Sequence, residues 1–349
     1  MNSFYFSLEL QNGILISTRI LFIVSSFFNA IAFFCLLKET PEHQSKFRKY
    51  LLCIQVFAAI YDINFDVAVE PFPMFPAIGG FCKGIVCQWS VPIQYSFATT
   101  VLLIGLIGFA IFICIIYRHQ SIVRGKFKFS KRSLDALRTF LVIFCMSPGI
   151  ISFCIYFDKS RTEELLNNVF TLLFLYEKSQ YILYQYGNLT WIRERGMYAM
   201  FVRSSGTTIV IPVVAITVVG FVFLFLLALL AQIIWFIFRD SIRSITSRKR
   251  SRNALIVLIL QLCVPILLII IPANIIMISV IWETLLPFEV CQIAFFALYP
   301  HSLLHSLVLL FITPQYRKLM QRYLDRLLRK NPPRKNTLSI ATSRISSYK

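Results

Sequence analysis

Charge is scarce in this sequence and acidic charge scarcer still: charged residues make up 15% of the 349, with 16 Asp or Glu against 35 Lys or Arg. Hydrophobic residues make up 57%, and the mean hydropathy is +0.71. A soluble domain of that composition would expose more apolar surface than water tolerates, so lipid is the expected solvent. No Gly-rich phosphate loop, His-Glu-x-x-His helix or nucleophile elbow is present, which argues against an enzyme. Nothing in the sequence calls for a cofactor. No basic segment precedes the first apolar run and no small-residue cleavage site follows it, so that run is expected to serve as its own targeting signal. The absence of a repeated period speaks against an inverted-repeat transporter.

What is present is a series of long apolar runs. A hydrocarbon core about 30 Å thick takes roughly 20 helical residues to cross. Seven runs meet that length: Ile14 to Leu37, Tyr50 to Val69, Val91 to Tyr117, Thr139 to Phe157, Thr208 to Phe238, Ala254 to Ile281 and Phe288 to Ile312. The shorter run Val169 to Tyr176 ends at Glu177 and Lys178 and is left outside the bilayer. The expected fold is an all-α integral membrane protein, a seven-transmembrane-helix bundle over residues 14–312 with a short outer N-terminus at 1–13. From Gln315 to Lys330, Leu319, Met320, Tyr323, Leu324, Leu327 and Leu328 alternate at helical spacing with basic residues. That pattern predicts an amphipathic helix on the membrane surface. Residues 331–349, polar after Pro332 and Pro333, read as a disordered tail.

Lys and Arg collect on the cytoplasmic side of membrane proteins. The first, third and fifth connections and the C-terminal tail together carry 26 of them, the opposite side seven. The count predicts an extracellular N-terminus and a cytoplasmic C-terminus in a multi-pass plasma-membrane protein. It also explains the net charge of +19 by contact with an anionic inner leaflet; scattered among loops, these charges do not suggest nucleic-acid binding. The single sequon, Asn188-Leu189-Thr190, falls on the side expected to be outside and makes Asn188 a candidate glycosylation site.

Several segments narrow the class: Lys38-Glu39-Thr40-Pro41, Gln55, Tyr61-Asp62-Ile63, Glu70-Pro71-Phe72-Pro73 through Gly79-Gly80-Phe81, Arg118-His119-Gln120-Ser121, Leu304-His305-Ser306 and Thr313-Pro314-Gln315-Tyr316-Arg317. From about Lys38 to Lys318 the chain resembles the nematode serpentine receptors of class I, with class H the nearest alternative. The resemblance implies a chemosensory G-protein-coupled receptor in sensory-neuron cilia. Its partners would be a small, environmental ligand and a heterotrimeric G protein. The rival reading is a ligand-gated channel or small-solute transporter, because intramembrane acids also mark ion pathways. Insect odorant channels have seven spans but the opposite orientation.

Candidate site residues follow from polar groups at membrane depth. Asp62, Asp66 and Glu70 stand four apart along one face of the second span and should point into the bundle. Arg19, near the outer end of the first span, can pair with Glu70 or Asp66, as a structural pair or beside a ligand. Asp62 lies deeper and is either a switch residue or an acid hydrogen-bonded within the bundle. Gln94, Tyr95, Thr99 and Thr100 are candidate ligand contacts on the third span, or hydrogen-bond to neighbouring helices. His301 and His305 share a face of the seventh span. That spacing suits zinc, but no third ligand is fixed by the sequence, so hydrogen bonding or a titrating switch is expected and no metal, with His301 also a candidate ligand contact and His305 a candidate switch residue. Pro212, Pro265 and Pro272 should kink the fifth and sixth spans.

At the inner side, Ile116-Tyr117-Arg118-His119 lacks the acid that latches the corresponding Arg in rhodopsin-like receptors. Arg118, with Arg248, Lys249, Arg250 and Arg252 in the fifth connection, is a candidate G-protein contact. Of nine cysteines, Cys35, Cys53, Cys114, Cys145 and Cys263 are expected as small apolar packing groups. Cys82 or Cys87 is expected to pair with Cys154 or Cys291.

Overall fold

Helix α1 (Leu8–Lys38) is built inside out: its buried side carries Thr18, Ser25, Asn29, Ala32 and Cys35, while Ile16, Ile20, Ile23 and Phe27 are exposed. A helix in water hides the second set and shows the first; this arrangement belongs in lipid, where small and polar side chains hold helices together. The computed structural model describes residues 7–38, 45–74, 79–89, 91, 93–123, 127–154, 195, 197–200, 207–239, 256–257, 259–282 and 285–327.

The remaining spans follow in order. Helix α2 (Ser45–Asp62) runs into a π-helical segment, Ile63–Val69. Next come α3 (Ile93–Ile122), α4 (Lys131–Cys154) and α5 (Thr207–Arg239). The sixth span crosses at 259–279 and contains a π segment, Ile266–Ile270, ahead of helix α6 (Ile271–Ile281). The seventh is broken: α7 (Phe288–Phe296) and α8 (His301–Ile312) meet at 44°. Six helices are long and apolar enough to cross a membrane, and the bent pair makes the seventh. Helix α3 is central, packing on α2, α4 and α5, while α1 packs on α2 and α8.

Backbone chemistry accounts for the irregularities. In the sixth span the two prolines predicted to kink it, Pro265 and Pro272, bracket the π segment, where the Ile271 N–H reaches back five residues to the Ile266 carbonyl. Wider hydrogen-bonded turns absorb the missing proline donors. At the seventh-span break, the Leu298 and Tyr299 amides bond three residues back, and Pro300 brings no N–H at all. Pro148 lies inside α4, where Ser152 Oγ donates to the Pro148 carbonyl at 2.7 Å. The side chain of Pro212 lies outside the described residues.

Between α3 and α4 the backbones nearly touch. A Cβ on Gly105 would come within 2.1 Å of the Cys145 carbonyl oxygen, and one on Gly149 within 2.7 Å of Leu102 Cα. Only glycine admits that approach, the small-residue packing of membrane helices.

Two strands from the region between the second and third spans, expected as loop, and one from between the fourth and fifth form a small antiparallel sheet in the order β1 (Pro71–Pro73), β2 (Gly79–Cys82), β3 (Met197–Met200). Phe72 and Phe81 stack across β1 and β2 with centroids 4.9 Å apart. Gln292 Nε2, on α7, donates to the Pro73 carbonyl at 2.7 Å and fastens the sheet to the bundle. The expected cysteine pairing is corrected: Cys82 is bonded to Cys87, on the helical turn Ile85–Gln88 that follows β2. Cys291 is buried and free, and the Cys154 side chain lies outside the described residues. Cys35 and Cys114 are buried as expected, whereas Cys53 is exposed.

Helix α9 (Pro314–Leu327) is the predicted amphipathic helix. It buries Tyr316 and Leu319 against the bundle and exposes Arg317, Lys318 and Arg322. Tyr323 meets Phe34 of α1 edge-on, 6.2 Å between centroids. The candidates Arg248, Lys249, Arg250 and Arg252, the sequon at Asn188, the run at 169–176 and the tail after residue 327 lie outside the described residues.

Candidate functional site

The column of acids on the second span is divided among different partners. At the sheet end, Arg19 Nε meets Glu70 Oε1 at 2.7 Å and its Nη2 meets Oε2 at 3.1 Å, a two-pronged ion pair. Sequence left Glu70 and Asp66 as alternatives for Arg19, and it is Glu70 that holds it. Glu70 lies where the π segment ends, with its N–H bonded to the Phe65 carbonyl five residues back and φ at 43°. A side chain other than glycine or asparagine is uncommon in that left-handed region.

At the deeper end, Asp62 joins a seam of hydrogen bonds across the first, second and seventh spans. Ser25 Oγ donates to Asp62 Oδ2 at 2.8 Å, and Asn29 Nδ2 reaches the same oxygen at 3.2 Å and Ser302 Oγ at 2.7 Å. Gln55 Nε2 donates to Asn29 Oδ1 at 2.7 Å; Ser306 Oγ donates to that oxygen as well. His305 Nδ1 lies 3.3 Å from Gln55 Oε1. Asn29 is the hub, and every member is buried. Such a network rigidifies a core when satisfied and is costly when broken. Sequence reasoning missed Ser25 and Asn29. Their signal was a pair of polar residues four apart in an otherwise apolar span, the same spacing as Ser302 and Ser306.

Asp66, between the two ends, is 2% exposed and receives no hydrogen bond or ion pair among the described residues. The ring of the adjacent Phe65 lies 4.8 Å from Tyr299, 5.4 Å from Phe295 and 5.2 Å from Tyr61, between centroids. His301 meets Tyr61 edge-on at 6.3 Å. Neither ring nitrogen of His301, nor the Tyr61 hydroxyl, has a partner among the described residues. The interhelical hydrogen bonding expected of both histidines therefore holds for His305 and not for His301. Their rings lie 6.5 Å apart, and among the described residues no group of three or more His, Cys, Asp or Glu is arranged to hold a metal ion.

The third span contributes unevenly. Thr100 Oγ1 accepts from Asn64 Nδ2 at 2.9 Å and so ties the π segment to α3. The Thr99 hydroxyl is spent on the Tyr95 carbonyl, one turn back at 2.7 Å. Tyr95 is exposed and stacks on Phe153 of α4, 6.3 Å between centroids. The Gln94 side chain lies outside the described residues.

A model of the serpentine type 7TM GPCR chemoreceptor Sri family matches residues 10–320. The chain belongs to that family. It is accordingly a multi-pass membrane protein of a receptor family rather than an enzyme family. No curated protein gives a significant match.

In this Sri chain the end opposite the sheet is organised around Arg118. Its guanidinium carbon lies 3.5 Å from the centroid of Phe47, at the start of α2. Phe47 in turn stacks on Tyr117. With no acid beside it in the sequence, this arginine is held by a ring face, an attraction that gains from desolvation. The neighbouring His119 is fully buried, and its Nε2 lies 2.8 Å from Gln232 Oε1 on α5. The ends of α2, α3 and α5 opposite the sheet are thereby joined by a cation–π contact and one hydrogen bond.

Proposed function

We propose that this chain is a nematode chemosensory receptor of class I that takes a small, environmental molecule into its helical bundle and activates a heterotrimeric G protein. The family match over residues 10–320 carries the reading. Its outer side is the sheet-bearing end, with the N-terminus, and its inner side the end bearing Arg118, α9 and the basic tail; sensory-neuron cilia are the expected location. The candidate ligand contacts are Asp66, Glu70, Thr100 and His301, which border the aromatic cluster where the second and seventh spans face each other. Support for transmission comes from the hydrogen-bonded seam, which joins three spans through side chains with alternative partners. The π segments and the 44° break provide places where the spans can bend; switching elements are drawn from such irregular backbone. Arg118, with the basic fifth connection, is the proposed G-protein contact.

The test is a ligand screen in cells carrying a promiscuous Gα subunit. A hit should raise second messenger only where both chain and Gα are present, and Arg118→Gln should lower that response at equal surface abundance. A ligand-gated current that persists after the Gα subunit is removed would overturn the receptor reading in favour of a channel.

A further inference from the structure

Of the three acids in the second-span column, the two at the ends are served and the middle one is not. Glu70 has the guanidinium of Arg19. Asp62 accepts hydrogen bonds from Ser25 and Asn29 at Oδ2, its Oδ1 having no partner among the described residues. Asp66 has neither among the described residues, and four residues to either side of it along the span stand the acids Asp62 and Glu70. A carboxylate so buried is costly unless something neutralises it.

The surroundings specify what that something is. The Phe65 ring, on the residue next to Asp66, meets the rings of Tyr61, Tyr299 and Phe295 at 5.2, 4.8 and 5.4 Å between centroids. A second observation, independent of the acids, is the set of idle polar atoms: the Tyr61 hydroxyl and both nitrogens of His301, on side chains 1% and 0% exposed. Buried polar atoms without partners are rare in native proteins and call for an explanation.

An anion is excluded by the carboxylates, and a neutral apolar molecule would leave Asp66 as it is. An inorganic cation such as sodium needs a shell of oxygens, whereas the side chains clustered around the neighbouring Phe65 are aromatic rings. A protonated amine satisfies all of these: its N–H groups donate to the carboxylate, its charge faces the rings, and a neighbouring acceptor takes a remaining hydrogen. The rings touch one another, with centroids 4.8 to 5.4 Å apart, so the guest must be small and must part them to enter. Its host elements are the irregular ones, the π segment Ile63–Val69 and the turn at 297–300 between α7 and α8.

We infer that Asp66, with the rings of Tyr61, Phe65 and Tyr299, forms the binding site for a small organic ammonium ligand. This rests on the receptor reading above, but its test needs no signalling, so the two can fail separately. The full chain in lipid nanodiscs is melted with n-butylammonium or phenethylammonium chloride, and in parallel with n-butanol, phenethyl alcohol or sodium chloride at the same concentrations. At least one ammonium probe should raise the melting temperature in a saturable way while its alcohol and sodium do not. Asp66→Asn should weaken the apparent affinity about tenfold or more, Asp66→Glu should retain part of it, and Tyr299→Leu should lower it. If neither ammonium shifts the melt, or if the alcohols or sodium shift it equally, the assignment is overturned by the wild-type chain alone, whatever the variants do. An ammonium effect that survives Asp66→Asn overturns it too.

Discussion

At the residue scale, the Arg19–Glu70 pair joins an exposed cation to a buried anion: the arginine side chain is 61% exposed and that of the glutamate 6%. The consequences of breaking it are therefore unequal. Arg19→Ala strands a buried carboxylate, the costly case; Glu70→Gln leaves an exposed arginine near the end of its span, whose long side chain can reach toward the interface. Surface abundance, measured by flow cytometry, should fall several-fold for Arg19→Ala and much less for Glu70→Gln. The double variant should recover toward the level of Glu70→Gln. Additive losses would show that the two residues do not depend on each other. Glu70 also sits at a φ of 43°, a left-handed backbone that costs an L-residue roughly 1–2 kcal/mol. Holding the carboxylate where Arg19 reaches it offsets that cost. The pair was legible in sequence because charges inside spans are so few. The seam around Asn29 was not: serines and amides are common enough in membrane helices that only contacts across three spans reveal which of them converge.

At the scale of elements, the spans themselves could be read from length and hydropathy, since lipid imposes both. Helix α4 begins at Lys131, two turns before the predicted Thr139, and α3 continues to Ile122, past the predicted Tyr117. Helices extend beyond the apolar core when polar residues can reach the interface, and hydropathy marks only the core. The π segments and the seventh-span break were less legible, because average hydropathy does not register a change of helical period. Prolines marked the sixth-span irregularity, but no proline lies within Ile63–Val69. The Cys82–Cys87 link was missed because the expectation looked for bridges between distant segments, while the turn after β2 folds back on itself.

The α3–α4 contact gives the sharpest prediction at this scale. Gly149→Val and Gly105→Val each force a side chain into the facing helix, an overpacking cost of about 1–3 kcal/mol. Each should lower the melting temperature of the purified chain and its surface abundance. Gly108, on the same helix as Gly105 but with open space where a Cβ would stand, is the control: Gly108→Ala should leave both unchanged. Equal losses at all three positions would mean that the close approach of α3 and α4 does not set the requirement for glycine.

At the scale of the whole molecule, two unrelated kinds of chemistry argue for one orientation. Lys and Arg gather on the connections and tail at the Arg118 end, as they do on cytoplasmic faces. The Cys82–Cys87 disulfide lies at the other end, beside the sheet, and disulfides persist in oxidising surroundings outside the cell. The N-terminal end of α1 is tied to the same region by Arg195 Nη1, which donates to Gln11 Oε1 at 2.8 Å. An epitope at residue 2 should therefore label on intact cells, whereas one at residue 349 should label only after permeabilisation. Asn188 provides a third reporter, since a glycan there forms only on the lumenal side: endoglycosidase should shift the chain's mobility, and Asn188→Gln should abolish the shift. Labelling of the residue 349 epitope on intact cells would invert the molecule. It would place Arg118 and the basic tail outside and remove the inner face that coupling to a G protein requires. The orientation an insect-type odorant channel adopts would then be the one to pursue.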